Sequence, residues 1–149
     1  MKITNHLNPS KKFNIEELIE FLSDALEISD NVELTLIYNN KLLDKLSNQV
    51  KYSAFLFSPQ LHHYILYVRE DIDLSYVICH EFVHLKQYES GNLKISDDFK
   101  EITWNGHVYN NNYPYDKREW EQEAFSKQFV LWKMFKKFKR NERAKTKVQ

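Results

Sequence analysis

His80-Glu81-Phe82-Val83-His84 sets two imidazoles and a carboxylate within five residues. On an α-helix each residue turns about 100°, so the histidines lie about 40° apart on one face, with Glu81 in the same quadrant. Two neutral imidazoles one turn apart can grip a zinc ion, while the neighbouring carboxylate reaches water activated by the metal. Zinc brings the pKa of such water towards ~7, and Glu81 can take its proton as general base and later carry it to a leaving amine. The chemistry implied is hydrolysis of peptide bonds, with one Zn2+ per chain, His80 and His84 as ligands and Glu81 as the catalytic group.

A catalytic zinc needs a third protein ligand and an open fourth position. A third histidine at the HExxHxxGxxH spacing is excluded, because Ser90 stands there and the next histidine is His107. Acidic candidates cluster in Glu119-Trp120-Glu121-Gln122-Glu123-Ala124-Phe125. On a helix Glu121 and Glu123 point about 200° apart, so only one of them can face the metal. The apolar side of this helix is set by Trp120, Ala124, Phe125, Leu131, Trp132, Phe135 and Phe138. Glu121 lies nearest the centre of that side and is favoured as ligand; Glu123 is the alternative.

The pentapeptide is followed by Gln87, Gly91 and Leu93, then Trp104-Asn105-Gly106 with Tyr109, then Trp120-Glu121-Gln122-Glu123-Ala124. Across residues 65–128 this resembles the small glutamate-ligand zincins, the minimal gluzincin peptidases and phage-type metallopeptidases. The resemblance implies zinc held by His80, His84 and Glu121, with Glu81 as base. It also implies a zincin-like α+β fold, in which a small twisted, mostly antiparallel sheet packs on the active-site helix. An N-terminal helix and a long C-terminal helix carrying the third ligand complete that fold. The sheet edge bordering the cleft is expected at residues 64–68, where an extended peptide or protein substrate would pair as an added strand. One departure stands out: larger gluzincins often carry an aspartate four residues after the ligand glutamate, to orient the first histidine, and here that position is Phe125. The imidazoles must be oriented from elsewhere. A donor for the developing oxyanion is expected among His107, Tyr109, Tyr113 and Tyr115, which lie between the two metal-bearing helices.

These groups require a scaffold. Asn14 is a good N-cap for a helix over residues 15–28, with Glu17 completing a capping box and Phe13 and Leu18 placed for a hydrophobic staple. Residues 32–38 read as a strand ended by Asn39-Asn40, and residues 41–49 carry no clear signal. Two strands at 53–57 and 63–68 suggest a hairpin around Pro59-Gln60. Asp71 or Asp73 opens the metal-binding helix, which stops at Gly91. Asn105-Gly106 joins residues 102–104 and 107–109 in a hairpin whose turn suits the type I′ geometry. A last helix is expected over residues 118–138.

The chain has 149 residues, enough for one domain, assigned to residues 1–140, with residues 141–149 as a basic tail expected to fray. Two glycines and three prolines leave no room for collagen-like or low-complexity material. The formal net charge is zero, yet residues 133–149 hold eight basic residues and one acidic, a net of +7 against −7 for the remainder. Such a tail is most simply a solvated terminus, and otherwise a tether to nucleic acid or an acidic partner. The single cysteine, Cys79, cannot form an internal disulfide and reads as a buried structural thiol. With no signal-like or membrane-spanning apolar run, a cytoplasmic location is expected. His62 and His63 are adjacent on a strand, hence on opposite faces, and cannot share a metal. Two other readings compete with the peptidase: a zinc-bound, non-catalytic regulatory module, and a metal-free fold with a coincidental motif. A retained Glu81 beside the ligands disfavours the first.

Overall fold

The computed structural model describes residues 1–7, 14–47, 49–70 and 73–148. Its elements are β1 (Lys2–Asn5), α1 (Ile15–Ala25), β2 (Glu33–Tyr38), α2 (Asn40–Leu46), β3 (Ala54–Gln60) and β4 (His63–Val68). They continue with α3 (Leu74–Glu89), β5 (Leu93–Ile95), β6 (Glu101–Trp104), β7 (His107–Asn110) and α4 (Glu119–Val148). The broad class is α+β, as expected. The Asn14 side chain caps α1 by accepting from the Glu17 N–H at 3.2 Å, and Asp73 caps α3 through the Ser75 N–H at 3.0 Å. Phe13 and Asp71 lie outside the described residues.

Two sheets share the work. The first has strand order β1-β2-β4-β3, with β1 and β4 both parallel to β2 and only β3 antiparallel to its neighbour β4. It is therefore mostly parallel, which corrects the expectation of a mostly antiparallel sheet. The reason lies in the connections: α1 separates β1 from β2, and a helix between strands is what a parallel crossover needs. β4 is an interior strand, so residues 64–68 are not the edge; the edge beside α3 is β3. A hairpin sequence does not say which of its strands lies outermost, and here β2 takes the inner side of β4. Gln60 pairs with His63, so the tight turn is Leu61-His62, two residues beyond the expected place, with His62 at φ 69°.

Leu18, Ile19 and Leu22 of α1, Leu34 and Leu36 of β2, Leu66 of β4 and Ile78, Phe82 and Leu85 of α3 form the main core. The helix α3 is buried on nearly every side from Ile78 to Leu85, as a central helix must be. It closes in a Schellman motif, with Gly91 at φ 77° and bonds from the Gly91 N–H to Tyr88 O and from the Asn92 N–H to Gln87 O, both 3.0 Å.

The second sheet, order β5-β6-β7, is antiparallel, and Asn105 and Gly106 take φ of 49° and 84° in its turn, as type I′ demands. Its Trp104 packs 6.2 Å from Trp120 and donates from Nε1 to Glu119 at 3.1 Å, which fixes the start of α4. The segment 41–49, silent in sequence, holds all of α2 but its first residue, Asn40, with Asn39 as the cap. The tail expected to fray continues α4 as helix to Val148; Lys139 anchors it to Glu17 at 2.7 Å, and Arg, Lys, Glu and Ala are good helix formers. Among the described residues no helix is long and apolar enough to cross a membrane.

Candidate metal centre

The helices α3 and α4 pack face to face, bringing His80, His84 and Glu121 together. All three are buried, and one ligand atom from each lies within 4.8 Å of the others. The two imidazole Nε2 atoms are 3.2 Å apart; Glu121 lies 2.5 Å from His84 Nε2 and 3.6 Å from His80 Nε2. The group could hold a metal ion.

The other ring nitrogens are fixed by two glutamines. Gln128 donates its amide to Tyr76 O at 3.0 Å, so its Oε1, 3.1 Å from His80 Nδ1, accepts the imidazole N–H. Gln87 donates to Trp120 O and to Glu123, both at 3.1 Å, so its Oε1 accepts from His84 Nδ1 at 2.8 Å. Each acceptor holds the proton on Nδ1, so Nε2 is the atom each ring would turn to a metal, with any proton there displaced on binding. These glutamines supply the orientation that an aspartate at position 125 would have given. Phe125 instead is half-exposed and lays its ring 4.5 Å from that of His80.

Glu121 is thus the glutamate that faces the histidines. Glu123 binds Gln87 and pairs with Lys127 at 3.6 Å, and Glu119 is taken by Trp104. Burial alone would lower the His84 pKa, but the Glu121 carboxylate beside it raises it to about 9. Burial would raise Glu121, yet His84 and His80 hold it well below the usual carboxylate range. Glu81 is buried on the wall of the same cavity, and desolvation raises its pKa against the opposing pull of His84 and His80. The Leu56 backbone, on the edge strand β3, also pulls it downwards.

The cavity holds about 450 Å³. It continues along β3 into a second one of about 340 Å³, with Phe55, Leu56 and Phe99 lining both. Of the four expected oxyanion donors only Tyr115 is at the site: its hydroxyl donates to Glu121 at 2.7 Å. Tyr109 and Tyr113 pack against Trp120 at 5.3 and 6.4 Å between ring centres, and His107 is exposed at the start of β7. His62 and His63 go to separate carboxylates, Glu89 at 2.8 Å and Glu33 at 3.2 Å. Cys79 is buried, its thiol pushed up to about 12 by desolvation.

Sequence reasoning missed Gln128, Tyr52 and Arg118. Gln128 was open to discovery, since seven residues after Glu121 is two helical turns along the same face. Tyr52 and Arg118 line the cavity from a loop and from the N-terminal boundary of α4, where periodicity carries no signal. Comparisons with family models, with curated proteins and with solved structures give no match for this chain.

Proposed function

We propose that the chain is a zinc-dependent peptidase of the glutamate-ligand type, with His80, His84 and Glu121 as ligands and Glu81 as general base. The observation that carries this reading is the convergence of both Nε2 atoms and the Glu121 carboxylate, beside a buried Glu81 on a cavity wall. Three such donors opening on a cavity fit a catalytic zinc, which takes three protein ligands and keeps one position open. Two imidazoles with their Nδ1 protons already pinned suit a borderline cation.

A bound zinc ion supplies Lewis acidity at the scissile carbonyl and acidifies water to near-neutral pKa. The chain's own groups do the rest. Glu81 takes a proton on its carboxylate and returns it to the leaving amine; burial, by raising its proton affinity, matches it to that task. Tyr115 holds the carboxylate of Glu121 through its hydroxyl. The outer edge of β3 offers backbone donors and acceptors to an extended substrate. Such an edge needs no side chain of fixed identity, which suits a peptide ligand.

The test is Glu81→Gln. On a peptide cleaved by the wild type, this variant should keep its zinc and lose nearly all turnover, by at least about 100-fold for the removed base. Wild-type turnover in Glu81→Gln would remove Glu81 from the mechanism.

A further inference from the structure

Arg118 is a buried cation on the wall of the cavity that contains the metal ligands. Its Nε donates to Tyr113 O at 3.1 Å and one Nη to Asn111 O at 2.8 Å. The guanidinium carbon lies 5.5 Å from the Tyr115 ring centre and 6.0 Å from that of Trp120, and Tyr52 lines the same cavity wall. Among the described residues no carboxylate forms an ion pair with it. The other buried arginine, Arg69, shows the contrast, with Asp44 at 2.8 Å.

Tying down two loop carbonyls does not call for a full positive charge, and burying one without a counterion is costly. The carboxylates lining the cavity are Glu81 and Glu121, and Glu121 is engaged with both histidines. Besides the histidines, the lining basic side chains among the described residues are Arg118 and the exposed Lys45. The Tyr115 ring touches both Arg118 and Glu121: its hydroxyl bonds Glu121 while its face meets the guanidinium.

We propose that Arg118, with the Tyr52 hydroxyl beside it, binds a carboxylate of the peptide substrate, either its C-terminal group or an acidic side chain. The proposal deepens the peptidase reading and rests on it for the identity of the ligand as a peptide. A guanidinium with two donors engaged keeps three more for a carboxylate, and charge-assisted bonds of this kind are about twice as strong as neutral ones.

The experiment uses zinc-loaded Glu81→Gln chain, which binds without turning over, and three N-acetylated tripeptides that share their first two residues. The first has a free C-terminus, the second a C-terminal amide, and the third a C-terminal amide with glutamate as its last residue. Calorimetry should show the first or the third binding at least about tenfold tighter than the second, and the tighter one names the carboxylate's source. Adding Arg118→Gln should bring that preference close to one, whereas Arg118→Lys should retain part of it. Equal binding of all three peptides would overturn the proposal, as would a preference that survives in a folded Arg118→Gln chain. Should Arg118→Gln fail to fold by circular dichroism, the peptide comparison and the lysine variant decide. Zinc content and wild-type turnover are read separately, so failure of the peptidase reading is not confused with failure of this one.

Discussion

Gln128 Oε1 lies 3.1 Å from His80 Nδ1, and the same side chain's amide is committed to the Tyr76 carbonyl. The second bond fixes which way the first one runs. With its Nδ1 proton held by an acceptor, His80 presents a lone pair from Nε2, the atom that points at Glu121 and His84. Gln128→Ala should therefore weaken zinc binding by about 10- to 100-fold, read by competition with a chelator. Gln128→Glu keeps an acceptor at that position and should retain most of the affinity. Unchanged affinity in Gln128→Ala would mean that ligand packing alone orients the ring.

Gln87 is the matching prediction on the second histidine, with a further consequence. Its amide also ties α3 to the Trp120 carbonyl of α4. Gln87→Ala should lower zinc affinity and reduce the stability of the metal-free chain by about 1–3 kcal/mol, because buried polar partners are left unpaired. Chelator competition and urea unfolding check the two effects independently. Loss of one without the other would separate ligand orientation from helix docking.

Away from the metal, Glu89 at the end of α3 has its side chain only 8% exposed and accepts from the Tyr64 hydroxyl at 2.5 Å and from His62 at 2.8 Å. Tyr64→Phe leaves that carboxylate short of a donor and should cost about 1–3 kcal/mol in urea unfolding. Zinc content should be unaffected. A neutral Tyr64→Phe would show that His62 and solvent suffice for Glu89.

Cys79 precedes a metal ligand yet faces the core, fully buried. Burial pushes its thiol up to about 12, so at pH 8 the folded chain holds almost no thiolate there. A thiol reagent at pH 8 should leave it unmodified in the native chain and react promptly once urea unfolds it. Fast modification of the native chain would place Cys79 at the surface.

Much of this was legible in the residues. The capping signals of Asn14, Asp73 and Gly91 and the Asn105-Gly106 turn are local chemistry, and each stands where the sequence indicates. The choice of Glu121 over Glu123 followed from helical angles, because both the ligand face and the apolar face are properties of one helix. What escaped depends on which elements meet. β1 is a four-residue strand with little apolar content, and without it the parallel pairing of the first sheet has no visible cause. The edge position of β3 is set by β2 joining β4 across intervening chain. Arg118 acquires meaning only when the loop carrying Tyr52 closes beside it.

Zinc per chain in freshly purified wild type, Glu121→Ala and Glu123→Ala decides whether these three side chains hold a metal. Near-stoichiometric zinc is expected in the wild type and in Glu123→Ala, and a large loss in Glu121→Ala. Zinc retained in Glu121→Ala but lost in Glu123→Ala would contradict the ligand set. A wild type that takes up no zinc even on reconstitution would contradict the metal centre itself.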